Sequence, residues 1–145
     1  SDLKFESLAA TESNVGRLEA AGVQTALSTI GANTAPGEHV VKQYAGNLVA
    51  IGKVPGSSGL DWGHALATIT SGPARAIGMD GEIGSLRAGR RADVVIWDGD
   101  PLELSSAPVA IYIDGRAQPM QSRQTQLRDR YMIPSEGALP KAYER

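Results

Sequence analysis

The sequence contains no cysteine, so disulfides, thiolate metal sites and thiol nucleophiles are all excluded. Histidine is almost as scarce, with two in 145 residues, and aromatic residues reach only 5%. A net charge of -2 gives no basic footprint for nucleic acid or an anionic membrane. No apolar run approaches the roughly 20 residues of a membrane span, and no basic stretch precedes an apolar signal core. These absences describe a chain that reads as soluble, and an intracellular setting fits it. What remains is a 41% hydrophobic, 21% charged composition, the balance of a folded domain.

Periodicity organises the first half as α/β. Leu8, Val15, Leu18 and Ala21 share a helical spacing, with Thr11 as N-cap and Gly22 as stop, predicting a helix over 11–21. Residues 23–28, bounded by Gly22 and Gly31, read as a short buried parallel strand. Val40, Val41, Tyr44, Leu48 and Ile51 predict a second helix closed by Gly52. A Pro, Gly and Ser-rich loop over 53–59 leads to Leu60 as staple and Asp61 as N-cap of a helix through Thr70. Ser71, Gly72 and Pro73 are expected to break it, leaving one helical turn over 74–77.

After Gly78 the pattern changes to strands. The run 92–97 is dense in β-formers, and 109–113, Asp114-Gly115 and 116–118 predict a hairpin whose Asp-Gly pair supplies positive φ. The tail from Gln121 is polar and expected over the surface, anchored by Leu127, Tyr131 and Met132, with Pro134 and Pro140 preventing a long helix near the end.

Two ordered segments carry a resemblance. The first is Ala67-Thr68-Ile69-Thr70-Ser71-Gly72-Pro73-Ala74-Arg75-Ala76-Ile77-Gly78; the second runs from Ile83-Gly84-Ser85-Leu86 through Ala92-Asp93-Val94-Val95-Ile96-Trp97-Asp98, extended by the Ile113-Asp114-Gly115 end. Together they resemble the amidohydrolase superfamily, particularly its imidazolonepropionase-like and prolidase-like members. The resemblance implies the last units of a (β/α)8 barrel over 1–79, part of a small β-sandwich over 80–119 and a polar tail over 120–145. A complete barrel needs about 250 residues, so both units are expected to be incomplete in this chain. The partners implied are the missing N-terminal part of a longer chain or further copies in a homo-oligomer. Without the motif, a compact α+β domain pairing 23–28 with 93–97 is an equal alternative.

The resemblance also implies a function: hydrolysis of C–N bonds other than peptide bonds, using divalent metal such as zinc to activate water. The family's histidine pair would precede Ser1. Its last barrel strand ordinarily ends in Thr then Asp, whereas here Thr29 is followed by Ile30, which neither ligates metal nor accepts a proton. Asn33 or Asp61 could hold that role under another register. His39, near Pro36-Gly37, is the one candidate substrate-facing residue; the ordinary reading makes it a solvated first-turn histidine, and His64 a structural one. No metal site is expected in the chain alone. A non-catalytic scaffold that kept the fold is the rival reading.

Other groups have simpler explanations. Asp98 and Asp100 suit a strand-ending turn better than a calcium loop. Ser57, Ser58, Asp61 and His64 lack a nucleophile-elbow pattern. Arg87, Arg90 and Arg91 read as a solvated loop beside Glu82 and Asp93.

Overall fold

The computed structural model describes residues 11–28, 40–121 and 123–132. Its elements are α1 (Asn14–Ala20), α2 (Val41–Ile51), α3 (Trp62–Ala67), α4 (Ser71–Ala76), β1 (Val94–Trp97), β2 (Pro108–Ile113), β3 (Arg116–Ala117) and α5 (Arg123–Met132). Helices come first and a three-stranded antiparallel sheet, ordered β1-β2-β3, follows.

The core lies where α2 and α3 meet the turn after β1. Ala45 and Leu48 of α2, Ala65 of α3 and Leu102 are buried together, with Val15, Leu27, Val49, Leu60, Leu66 and Ile69 packed around them. Small residues permit the approach. A Cβ at Gly46 would stand 2.4 Å from the Leu102 carbonyl oxygen, and one at Gly16 would stand 2.4 Å from that of Ser58. Backbones touch at both places, so only glycine fits without a shift.

α1 begins at Asn14 rather than Thr11, and packs through Gly16 while Leu18 and Ala21 are exposed. The apolar face that spacing suggested is kept at Val15, which packs on the core beside Gly16, and lost at Leu18 and Ala21. Leu8 lies outside the described residues. α3 follows the expected cap, since the Asp61 side chain accepts from the His64 amide, but it ends three residues early in turns through Thr70. The Ser71-Gly72-Pro73 stretch starts α4 instead of breaking a helix. Pro73 occupies the first turn, where amides have no intrahelical acceptor and the missing N–H costs nothing.

Residues 23–28 form no strand, and Val23, Gln24, Ala26 and Ser28 are exposed. No other strand among the described residues lies beside them, so ladder pairing is replaced by local substitutes. The Thr25 amide and hydroxyl both donate to Glu19 Oε1, at 3.0 and 2.6 Å, and the Leu27 amide donates to the Thr68 carbonyl at 2.9 Å. The alternative pairing with 93–97 does not occur, because β1 pairs with β2.

The hairpin forms as the Asp-Gly pair requires: Asp114 and Gly115 have φ of 51° and 73°, the doubly positive geometry of a type I′ turn. β1 and β2 pair from Val94↔Tyr112 to Ile96↔Ala110, with an irregularity before Trp97↔Pro108. A second layer completing a sandwich is not formed by the described residues. The tail differs most from expectation. Its described part is the helix α5, ending before Pro134, and its supposed anchors Tyr131 and Met132 are 77% and 70% exposed.

Candidate functional site

The Asp61 carboxylate is fixed twice by the helix it caps. One oxygen accepts from the His64 amide at 2.9 Å and the other meets His64 Nδ1 at 2.5 Å. Both side chains are exposed. The amide bond, then the imidazole, holds Asp61 below the usual carboxylate range, and the Asp61 carboxylate raises His64, with Glu19 adding a smaller contribution of the same sign. The pair is an exposed ion pair built around a helix cap.

A cavity of about 660 Å³ opens beside it. Glu19 from α1, Thr25, Asp61, His64, Ser71 and Arg75 line it, so two acids, an arginine and a histidine share one concavity, with Asp61 and His64 paired on the same helix end. A second hollow, about 390 Å³, lies between α2, Trp62 and residues 100–104.

Ile30 and His39, the two positions singled out from sequence, lie outside the described residues. Of the remaining candidates, the structure joins Asp61 to His64 but leaves Ser57 and Ser58 in the loop after α2, where the Ser58 amide donates to Ser13 Oγ at 3.0 Å. Asp98 and Asp100 act in turns. Asp98 Oδ1 accepts from the Ala107 amide, and Asp100 accepts from the Leu102 amide and the Trp62 indole, each at 2.8 to 2.9 Å. Arg91 pairs with Asp93, in keeping with a surface loop, but Arg90 departs from it: its Nη1 is shielded from solvent without a hydrogen-bond partner.

Among the described residues, no three His, Cys, Asp or Glu side chains converge on a point where a metal ion could sit. His64 Nδ1 is committed to Asp61, and the Asp61 carboxylate to His64 and the helix end. This donor set does not fit a catalytic divalent metal, which needs three protein ligands around an open position. No helix among the described residues is long and apolar enough to cross a membrane.

Sequence reasoning missed Glu19, Arg75 and Lys42. Glu19 stands six residues before Thr25, a spacing with no motif attached. Lys42 sits on α2 but reaches the Glu103 and Ser106 carbonyls, 61 and 64 residues away, which no local pattern encodes.

Comparison with known proteins bears on the whole of this arrangement. The sequence model of the "Amidohydrolase family" matches residues 13–117, from α1 to the end of β3. The "Amidohydrolase tasK" of Hapsidospora irregularis is 48% identical over 60 residues, which is 41% of this chain and 6% of that protein. The imidazolonepropionase of Maricaulis maris (strain MCS10) is 39% identical over 84 residues, 58% of this chain and 19% of that protein. The crystal structure of an amidohydrolase from Thermotoga maritima MSB8 superposes with a TM-score of 0.66 at 28% identity, covering 79% of this chain and 28% of that one. The likeness places these elements in a barrel-type α/β fold of which the described residues form a part.

Proposed function

The chain belongs to the amidohydrolase family, and from that premise we propose that it supplies the closing part of a metal-dependent hydrolase of non-peptide C–N bonds. The observation that carries this is the family match over 13–117, which takes in both helices and sheet. The chain spans between 6% and 28% of the length of these relatives, so most of an amidohydrolase lies outside the matched region.

In this reading residues 1–79 are the last barrel units, 80–119 part of a β-sandwich and 120–145 a tail. Divalent metal, zinc by family chemistry, would be held by histidines supplied elsewhere. The described residues carry no fitting donor set, and the chain alone is inactive. Catalytic groups of barrel enzymes gather at the C-terminal ends of strands. The cavity beside Asp61 and His64 instead adjoins Val23 and Thr25, at the beginning of the strand-like segment, and is assigned no chemistry. His39, beyond the other end of that segment, is the candidate substrate-side residue. The partner is the rest of a parent chain, or further copies in a homo-oligomer; the net charge of -2 favours neither nucleic acid nor an anionic membrane.

Ile30 favours a second reading, a scaffold that kept the fold after losing its carboxylate. A graft separates the two. The matching region of the Maricaulis maris imidazolonepropionase is replaced by this chain's, and the chimera is assayed with zinc as Ile30 and as Ile30→Asp. Hydrolysis by the chimera that keeps Ile30 supports the enzyme reading. A folded, zinc-loaded chimera that is inactive as Ile30 and recovers hydrolysis as Ile30→Asp supports the scaffold and the placement of Ile30, and inactivity in both forms counts against that placement.

A further inference from the structure

Residues 98–107, which leave β1 and return to β2, lie across α2. The Lys42 ammonium, near the start of α2, donates to the Glu103 carbonyl at 2.9 Å and the Ser106 carbonyl at 2.6 Å. It also stands 4.9 Å from the centre of the Trp97 ring, at the end of β1. One cation thus satisfies two turn carbonyls and caps an aromatic face. Further along, Leu102 enters the core against Ala45, Leu48 and Ala65, its carbonyl resting on Gly46. Asp100 holds the Trp62 indole at 2.9 Å from both carboxylate oxygens. Within the turn, Asp98 Oδ1 accepts from the Ala107 amide at 2.8 Å.

We propose that residues 98–107 form a strap, latched by Lys42, that makes the N-terminal turn of α2 and the end of β1 one cooperative unit, so that a disturbance of the sheet is transmitted to α2. The geometry demands a latch at this place. Two peptide carbonyls and an aromatic face converge on one ammonium, and without it the Glu103 carbonyl keeps only the longer bond from the Ser106 amide at 3.3 Å. The bond to Ser106 is partly shielded and that to Glu103 exposed, and both are charge-assisted, the stronger class of hydrogen bond. Leu102 and Asp100 hold the middle of the strap, so loosening at Lys42 cannot be absorbed by the turn alone. The inference is independent of the hydrolase reading, because it concerns only the coupling of two packed elements.

The test reads amide hydrogen exchange in the whole chain. Lys42→Met removes the charge and keeps the stem; Asp98→Ala frees the Ala107 amide from within the strap without altering α2. Asp98→Ala is expected to speed exchange about tenfold, roughly the effect of one lost charge-assisted bond, and Lys42→Met, which removes two, by more, both in the strap and at Tyr44, Ala45 and Gly46. Lys42→Arg keeps the charge and the means to donate to both carbonyls, so it should retain more of the protection in α2 than Lys42→Met. Acceleration confined to residues 98–107 in Asp98→Ala, or no change in α2, overturns the proposal. If Lys42→Met does not fold, Asp98→Ala decides it alone.

Discussion

Asp93 Oδ1 accepts the Asp114 amide at 2.9 Å, tying the residue just before β1 to the turn of the hairpin twenty-one positions later. The neighbouring Gly115 amide donates to the Ala92 carbonyl at 2.9 Å, and the second Asp93 oxygen holds Arg91. The Ala-Asp and Asp-Gly pairs that carry the resemblance therefore meet in space. Arg91 first, then the Asp114 amide, keeps the Asp93 carboxyl below its usual range.

Because its folded pKa is depressed, Asp93 contributes stability that is present above the ordinary aspartate value and is lost as pH falls through the folded one. Asp93→Ala should lower the urea midpoint at neutral pH, and the gap from wild type should close in acid. Denaturation at a series of pH values checks this; an unchanged gap in acid contradicts the role of the carboxylate.

These local links explain what could be read from sequence. Asp61 three residues before His64, and Asp114 beside Gly115, act within a turn of chain, so residue type alone reports them. Residues 23–28 have the composition of a buried strand, but a strand needs neighbours, and here Glu19 and Thr68 take over two of its amides. Pro73 looks like a breaker until its place in a first turn is known. The tail showed a polar composition that conceals a helix, since α5 buries none of its residues and so has no apolar face to announce it. For the site, the absence of thiols was legible; Glu19 and Lys42 were not, because each bonds outside its own helix, and Arg75 was not, because only the fold brings it to the cavity.

The Asp61 and His64 pair gives a second pH response of opposite sign. His64 is raised by its carboxylate partner, so its contribution is complete below the ordinary histidine value of about 6.5 and is lost as pH rises through the folded value. Histidine titration by NMR should find His64 above the ordinary value in wild type and lower in Asp61→Asn. Equal values in the two proteins would dissolve the pair.

The tryptophans should respond differently. Trp97 is half-buried beneath Lys42, whereas Trp62 is 43% exposed and held mainly through its indole nitrogen. Trp97→Ala should cost about 2 to 3 kcal/mol, somewhat less than a fully buried tryptophan, and Trp62→Ala about 1 kcal/mol. Denaturant titration of both variants decides, and equal small losses would refute the packing of Trp97.

Gly46→Ala tests the seam between α2 and the strap. Its Cβ would stand 2.4 Å from a backbone oxygen, which cannot move aside as a flexible side chain would. The gain in helix propensity should be outweighed by about 1 to 3 kcal/mol of overpacking. A thermal midpoint equal to or above wild type would show that the contact is looser than described.

The chain belongs to the amidohydrolase family, and we propose that it does not hold the catalytic metal by itself. Calorimetric titration of the unmodified chain with zinc, at neutral pH in a non-chelating buffer, tests it most directly. No stoichiometric binding is expected for the wild type and none for Ile30→Asp, because one restored carboxylate still lacks the ligands that would complete a site. Submicromolar binding of one zinc ion by the unmodified chain would contradict it.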